Sequence, residues 1–287
     1  MVVFGLNSPC KKDYLSDLIV YYFKNLDLNE FITGAVQPKL NKASLASIPI
    51  FLPKDEAAQK AIAAVLSSLD DKIDLLHRQN KTLEAMAETL FRQWFIEEAQ
   101  EDWEEKCLLD LVELVGGGTP KTSINEYWNG DIPWLSGGDI ATNHKGFVSA
   151  SEKTITKAGL DNSSAKLLPK FSTVISARGT VGKYCLLAGD MAFSQSNYGI
   201  LPKIEGCYYF TYLLLNRVVE ELQSAAYGSV FDTITTSTFR DATFTVPLTA
   251  KILDFESIIA KYFYKKLLNQ KQIRTLESKR LALPLSP

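Results

Sequence analysis

The chain carries an internal repeat displaced by 194 residues, so that residues 4–53 align without a gap with residues 198–247. Tyr14 aligns with Tyr208, for example, and each copy runs into a long segment that has the composition of a helix. A period of this length is too long for the unit of a solenoid or a propeller. The sequence therefore predicts two copies of one module, each a globular part followed by a helix.

The first copy is shorter than the second, because nothing at the N-terminus matches residues 102–194. Residues 1–53 are therefore predicted to be the C-terminal remnant of a first globular domain. Residues 54–100 then form a long helix, residues 101–250 a complete domain, and residues 251–287 a second, shortened helix. A domain of about 150 residues has the size of one folding unit.

Local patterns suggest secondary structure within these segments. Helices are predicted at 14–23 and 208–225, strands at 173–177, 184–187 and 239–246, and turns at 116–118, 129–131 and 136–138. A mixed domain of this kind joined to long helices predicts the α+β class.

Composition excludes several classes of protein. Of the 287 residues, 46% are apolar and 22% are charged, which is ordinary for a globular protein. No apolar run approaches the roughly 20 residues that span a bilayer, and no secretory signal is recognisable. The four cysteines are scattered, with no closely spaced pair, which favours free thiols in a reducing cytoplasm over disulfides or a zinc site.

Basic charge is concentrated in two segments, although the whole chain has a net charge of −2. Residues 143–183 carry seven basic and two acidic side chains, and residues 251–280 carry eight basic and three acidic ones. Each segment thus has a balance of +5, which can create a basic face for nucleic acid. The alternative is an ordinary solvated surface that bears lysines.

The two long helices are predicted to pair with each other. Residues 55–102 contain no proline or glycine, and their apolar positions alternate at steps of four and three, with Asn80 in the one polar slot. Residues 254–280 are likewise free of helix breakers. An antiparallel coiled coil within one chain is favoured over two unrelated surface helices. Its predicted contact residues are Leu69, Ile73, Leu76, Asn80, Leu83, Leu90, Phe91, Trp94, Phe263, Leu267, Ile273 and Leu276.

The sequence provides poorly for catalysis. The only two histidines, His77 and His144, have no partner at the spacing of a metal site or a catalytic triad. The glycines at 116–118 lack the context of a phosphate-binding loop. We therefore expect neither a catalytic residue, nor a metal, nor a cofactor in this chain.

The sequence contains more residues suited to binding nucleic acid than to catalysis. Residues 117–134 combine glycine turns with hydroxyl and aromatic side chains, and residues 176–183 place Arg178 among small residues. An arginine so placed can bind phosphate or the edge of a guanine, and the amides at 194–198 suit adenine. The alternative for each segment is a structural turn or a core aromatic residue.

These segments carry a family resemblance. The motif Gly-Gly-Thr-Pro at 117–120, Tyr-Trp-Asn-Gly-Asp-Ile-Pro-Trp at 127–134 and Ser-Ala-Arg-Gly-Thr-Val-Gly-Lys at 176–183 resemble the target-recognition domain of specificity (S) subunits of type I restriction-modification systems. The helical segment 66–95 is similar to the helix that follows such a domain. The resemblance covers essentially the whole chain, with a shortened first domain.

The resemblance implies a DNA-reading subunit without catalytic activity. Family members have two recognition domains, each of which reads half of a split site in double-stranded DNA, and an antiparallel coiled coil that docks two methyltransferase (M) subunits. S-adenosylmethionine would then be bound by the M subunits and not by this chain. Residues 101–250 would read one half-site. The candidate DNA-binding residues are Thr119, Lys121, Trp134, Ser136, Lys145, Arg178, Thr180, Lys183, Gln195, Asn197, Tyr198 and Ser229.

The shortened first domain leaves an alternative open. The chain could instead be a half-S scaffold or a silent recombination cassette that does not read DNA. Restriction (R) subunits and a second copy of the chain, which would replace the missing half, are further partners that this family implies; a membrane is not one.

Overall fold

A computed structural model describes residues 14–25, 48, 50, 53–225 and 233–282 of the protein. The chain divides into two compact units, of which the first comprises Met1–Gln79 and Asn269–Pro287 and the second Asn80–Leu268. The sequence also predicts a strand-like segment at 48–52, and this segment lies largely outside the described residues. Within the described part of the chain, no helix has the length and apolarity needed to cross a membrane.

The elements alternate between short strands and helices, which confirms the α+β class. The helices are α1 (Tyr14–Asn25), α2 (Glu56–Arg92), α3 (Leu108–Leu111), α4 (Gly137–Thr142), α5 (Lys157–Asp161), α6 (Tyr208–Ala225), α7 (Thr236–Asp241) and α8 (Thr249–Ala282). The strands are β1 (Glu104–Cys107), β2 (Val112–Gly116), β3 (Trp128–Leu135), β4 (Phe147–Val148), β5 (Lys153–Ile155), β6 (Leu167–Leu168), β7 (Thr173–Ser176), β8 (Tyr184–Leu187), β9 (Met191–Phe193), β10 (Asn197–Pro202) and β11 (Thr243–Val246). A short 3-10 helix at Asn125–Tyr127 precedes β3.

The strands of the second unit form three sheets. A five-stranded sheet has the order β2-β10-β7-β8-β4, a four-stranded sheet has the order β5-β3-β9-β6, and β1 pairs with β11 alone. The pairs β4–β8 and β3–β9 are parallel, and the other pairs are antiparallel.

The five-stranded sheet is buried on both faces, and β8 shows why. Its residues Tyr184 and Leu186 belong to one core and Cys185 and Leu187 to another, as the two-residue period of a strand requires. The first core contains α6 and parts of both long helices, and the second contains residues of the four-stranded sheet such as Met191. A sheet that is covered in this way reads as a continuous apolar run, which matches the sequence at 184–187.

In the first unit, α1 packs against the long helix α2. Leu18 and Tyr21 of α1 form a cluster with Ala63 and Leu66 of α2. The Tyr21 hydroxyl also donates a hydrogen bond to the Asp70 carboxylate at 2.8 Å. Because α1 occupies the position in the repeat that corresponds to the start of α6, the two copies of the module share a helix as well as a sequence.

The long helices run antiparallel in the first unit. The Arg280 guanidinium contacts the Asp70 carboxylate at 2.6 Å, and the Asn269 amide donates to Gln79 at 3.3 Å. A small apolar cluster of the two helices lies between these polar contacts in the sequence. It consists of Ile73, Leu76, Ile273 and Leu276.

The second unit contains the other part of the helix pair, in which Lys266 of α8 contacts Glu84 of α2 at 3.1 Å and Phe255 contacts Trp94. Burial lowers the pKa of Lys266, while the charge of Glu84 opposes that shift. Half of the predicted contact residues are buried, namely Ile73, Leu76, Phe91, Phe263, Leu267 and Ile273. The other half are partly buried, namely Leu69, Asn80, Leu83, Leu90, Trp94 and Leu276.

Helix α8 is longer than the predicted segment 254–280. It begins at Thr249, two residues after Pro247, because no proline or glycine follows that would delay it. Helix α2 begins after Asp55, whose carboxylate accepts hydrogen bonds from the amides of Ala57 and Ala58 at 3.2 Å. It passes into a short π-helix at Gln93–Glu97, where Phe95 is buried.

Three local predictions were wrong. The turn predicted at 136–138 is the start of helix α4, because Ser136 caps the helix and Gly137 and Gly138 form its first residues. Residues 129–131 lie inside β3 and not in a turn, because a bulge between Trp128 and Ile132 accommodates Asn129 at a φ of 62°. The predicted strand 239–246 begins with helix α7, in which the buried Phe239 packs edge-on against Tyr198. Only residues 243–246 of that segment form a strand.

Glu256 is expected to make the stability of the protein depend on pH. Its carboxylate accepts hydrogen bonds from the amides of Tyr209 and Phe210 at 3.0 and 2.7 Å, and burial raises its pKa from 4.5 to about 7. The folded state therefore binds this proton more tightly than the unfolded chain, so the contribution of Glu256 to the free energy of unfolding should fall as pH rises from 4.5 to about 7. One proton corresponds to at most about 1.4 kcal/mol per pH unit.

Urea unfolding between pH 4.5 and 8 would measure this slope in the wild type and in Glu256→Gln. The variant should lack this decrease in the free energy of unfolding with pH, because glutamine does not titrate. Its overall stability can differ from that of the wild type, because glutamine offers one acceptor oxygen instead of two. Equal slopes in both proteins would show that Glu256 does not titrate in this range.

Candidate nucleic-acid interface

Three turns of the second unit meet where β3, β7 and β10 end or begin. Strands β7 and β10 are antiparallel neighbours whose terminal pair is Ser176 and Asn197. Beyond it the Ala177 amide donates to the Ser196 carbonyl at 3.0 Å, which joins the turn after β7 to the turn before β10. The third turn, at Ser136 and Gly137, follows β3 and leads into helix α4. The Thr180 side chain contacts it.

The turn after β7 presents Arg178 to solvent. The Thr180 amide donates to the Arg178 carbonyl at 3.0 Å across Gly179, whose φ of 77° is a conformation that glycine adopts without steric cost. The Ser176 hydroxyl donates to the same carbonyl at 3.1 Å from the buried side. The backbone that carries Arg178 is therefore held from two directions.

Thr180 joins this turn to the one that follows β3. Its hydroxyl lies 3.1 Å from the Gly137 carbonyl oxygen and 2.9 Å from the Ser176 hydroxyl, and it can donate its one proton to either. Thr180 thus supports the turns and is only partly exposed. A Cβ at Gly137 would lie 3.2 Å from the Thr180 hydroxyl oxygen, so the absence of a side chain permits this approach.

Ser136 caps helix α4. Its hydroxyl accepts a hydrogen bond from the Asp139 amide at 3.2 Å, while the Asp139 carboxylate accepts from the Ser136 amide at 2.8 Å. This reciprocal arrangement is a capping box, which fixes how the chain enters the helix. The structure therefore uses the Ser136 hydroxyl within the protein.

The turn before β10 has an exposed and a buried member. Gln195 is exposed, whereas Asn197 is 1% exposed and its side-chain nitrogen donates to the Ser194 hydroxyl at 2.7 Å. The backbone N–H of Asn197 donates to the Ser194 carbonyl at 3.1 Å. Asn197 therefore supports the turn from within, and Gln195 is the amide that faces solvent.

The predicted aromatic readers lie in the interior. Trp134 is 7% exposed, donates its indole N–H to the Gly118 carbonyl at 2.9 Å and meets Trp128 edge-on. Tyr198 is partly buried against Phe239. Trp134 therefore has no open ring face on which a base could stack, and Tyr198 is engaged in packing.

The predicted basic residues lie in different settings. Lys145, at a φ of 59°, directs its ammonium to Glu88 at 3.3 Å and to Glu220 at 3.7 Å, and so links its loop to α2 and α6. Lys183 is partly buried and Lys121 is exposed. Thr119 is partly buried, and Ser229 lies outside the described residues.

The surroundings of His144 disfavour its protonated form. Burial and the charges of Lys183 and Lys145 lower the pKa of His144, which keeps its imidazole neutral near pH 7.

In the described residues, no group of three or more histidine, cysteine, aspartate or glutamate side chains is arranged to hold a metal ion.

The sequence singles out Arg178 and Gln195, which are exposed. It also assigns a DNA-binding role to Ser136, Thr180 and Asn197, which support the turns. Ser176 and Ser194 lie within or beside the recognition motifs, yet the pattern assigns them no role. Their signal is weak, because a serine beside a turn is common and its partners, the Arg178 carbonyl and the Asn197 amide, become evident only in the fold.

Comparison with known proteins identifies the family. The type I restriction modification DNA specificity domain matches residues 3–85 and 100–278 of this chain. The MjaIX type I restriction enzyme specificity subunit of Methanocaldococcus jannaschii is 29% identical over 64% of this chain and 43% of its own length. The HindI specificity subunit of Haemophilus influenzae is 24% identical over 85% of this chain and 68% of its own length. The chain thus spans only part of the length of each relative.

The fold agrees with this match. The crystal structure of the S subunit of a type I restriction-modification system from M. genitalium aligns with a TM-score of 0.61 at 15% identity, and covers 94% of this chain and 72% of that one. The prediction of a non-catalytic specificity subunit is confirmed by the family whose domain spans both copies of the repeat. The chain belongs to the DNA specificity (S) subunits of type I restriction-modification systems.

Proposed function

We propose that this chain directs a DNA methyltransferase to a specific sequence by reading a half-site with residues 101–250. The observation that carries the proposal is the exposed guanidinium of Arg178 on a turn that hydrogen bonds hold from two directions. A pre-organised donor costs little side-chain and backbone ordering when it binds. The exposed amide of Gln195 on the adjoining turn adds a second group able to recognise a base edge.

The long helices are proposed to dock the methyltransferase subunits. A groove of about 290 Å³ lies between α2 and α6 and has a mixed lining, and Ile96 at its edge is 43% exposed. Its lining residues include the apolar Ala85 and Leu213 and the charged Glu88, Arg92, Arg217 and Glu220. On the same helix α2, Met86 is 44% exposed. S-adenosylmethionine would be bound by the docked subunit, so the present chain contributes the choice of site and not the methyl transfer.

Co-expression with the methyltransferase subunit of the same system, followed by sequencing of methylated adenine, tests the function directly. A defined methylated motif in the host DNA is the expected result. Stable co-purification without any methylated motif would overturn the DNA-reading role and leave a docking scaffold.

Arg178→Lys is expected to weaken binding to that motif about 5- to 150-fold, because lysine cannot form the two parallel hydrogen bonds of a guanidinium. Binding to scrambled DNA should change little, since the charge is retained. Fluorescence anisotropy at fixed salt would measure both affinities. The matched control is Arg274→Lys, an exposed arginine of α8, which should change neither. Equal losses on both DNAs would make Arg178 a phosphate contact and not a base reader.

A further inference from the structure

Arg178 and Gln195 lie on two turns that a backbone hydrogen bond joins. The antiparallel register pairs Ser176 with Asn197, and the hydrogen bond from Ala177 to Ser196 continues the pairing by one position. Arg178 follows Ala177 and Gln195 precedes Ser196, so the two residues flank this hydrogen bond. Both are exposed, and in the part of the chain that the structure describes neither side chain is engaged in an ion pair or a hydrogen bond.

Buried polar side chains support both turns. Ser176 donates to the Arg178 carbonyl, and the Asn197 side-chain amide donates to the Ser194 hydroxyl at the base of the Gln195 turn. Thr180 adds a contact to the turn after β3. The two exposed side chains are therefore presented from a common, hydrogen-bonded base, so their spacing is a property of the fold.

This spacing suits neighbouring base pairs. Arg178 and Gln195 extend from turns that one backbone hydrogen bond joins, and successive bases along a DNA strand are about 3.4 Å apart. Both side chains are long and flexible, so two readers that flank one hydrogen bond can reach adjacent base pairs in the major groove.

The chemistry of the two side chains specifies the bases. A guanidinium binds O6 and N7 of guanine through two hydrogen bonds, and a glutamine amide binds N6 and N7 of adenine in the same manner. An acidic pair would instead favour cytosine, and two lysines would favour phosphates without choice of base. The combination found here is the one that recognises two purines.

We propose that Arg178 and Gln195 read two adjacent base pairs of the half-site, with guanine bound by Arg178 and adenine bound by Gln195. This inference rests on the proposed function, because it names the chemistry of the same DNA-reading surface. It goes further by fixing the identity and the adjacency of two positions in the target.

The test is to determine the methylated motif for the complex of this chain with its methyltransferase subunit, in the wild type and in two variants. Arg178→Ala should relax the preference at a G·C pair about 5- to 150-fold, and Gln195→Ala should relax it similarly at the neighbouring A·T pair. Gln100→Ala, which truncates an exposed glutamine remote in sequence from these turns, should leave the motif unchanged. Circular dichroism of each variant would show that it folds.

The outcomes separate the two proposals. A wild-type complex without any sequence preference would overturn the proposed function itself. A wild type with a motif, in which the two variants relax positions that are not adjacent or that are not guanine and adenine, would overturn only the present inference. Uniform weakening at every position would do the same, because it would show that the two side chains contact the DNA backbone.

Discussion

Replacing Phe255 with alanine is expected to lower the free energy of unfolding of the second unit by about 3–5 kcal/mol. The side chain is 1% exposed, and its ring centroid lies 4.8 Å from that of Phe95 and 5.6 Å from that of Trp94. Phe91 and Phe210 complete the surrounding aromatic cluster. Removing the ring would leave a cavity among large, rigid groups that can collapse only partly, and so would forfeit both burial and aromatic contacts.

Urea unfolding of Phe255→Ala and of Leu253→Ala provides the comparison. Leu253 lies on the same helix but is 47% exposed, so its truncation should cost no more than about 0.5 kcal/mol. Phe255→Leu, which retains most of the apolar volume, should fall between the two. Similar losses for Phe255→Ala and Leu253→Ala would show that the aromatic cluster does not stabilise this unit.

The position of this cluster shows that the second unit has a core shared by the domain and the parts of the long helices within that unit. Phe91 and Trp94 belong to the end of the first long helix, Phe255 to the second, and Phe210 to helix α6 beneath the five-stranded sheet. The domain core therefore includes residues from both long helices. A segment limited to residues 101–250 would lack Phe91, Trp94 and Phe255, and with them part of its own core.

Much of the helical structure could be predicted from the sequence. The repeat predicts helices at corresponding positions, and α1 and α6 begin at the aligned Tyr14 and Tyr208. The apolar stripe of the long helices predicts the burial of residues such as Ile73 and Phe263, because a heptad pattern sustained over many turns indicates a helix that packs along one face.

The sequence also predicts strands β7 and β8 from their apolar runs, but most of the other short strands and the support of the turns could not be predicted in the same way. Asn129 is followed by glycine, a pair that is common in turns, yet its left-handed conformation serves a bulge within β3. Trp134, Asn197 and Lys145 have the chemistry of DNA contacts. Their burial or pairing depends on partners elsewhere in the fold, such as Gly118 for Trp134 and Glu88 for Lys145, which local sequence patterns do not reveal.

The glycines at 116–118 provide the second prediction with a large effect. The sequence predicts a turn there, but none of the three has a positive φ; two of them are required by close approach of the backbone. A Cβ on Gly118 would lie 2.2 Å from the backbone nitrogen of Ala165, and one on Gly117 would lie 2.1 Å from the Ser194 carbonyl oxygen. Around Gly116, in contrast, no atom lies within 4 Å of such a Cβ.

Gly118→Ala is therefore expected to destabilise the second unit by about 1–3 kcal/mol or more, because the added methyl group meets backbone that cannot move aside as a flexible side chain could. The displacement would also weaken two hydrogen bonds, from the Gly118 amide to the Phe193 carbonyl and from the Trp134 indole to the Gly118 carbonyl. Gly116→Ala in the same run should stay within about 0.5 kcal/mol of the wild type. Urea unfolding followed by tryptophan fluorescence would report both the stability and the surroundings of Trp134. Equal stability of the two variants would contradict this prediction. It would show that the backbone at residues 164–165 yields to a methyl group at no measurable cost, so that close packing would not be the reason for glycine at position 118.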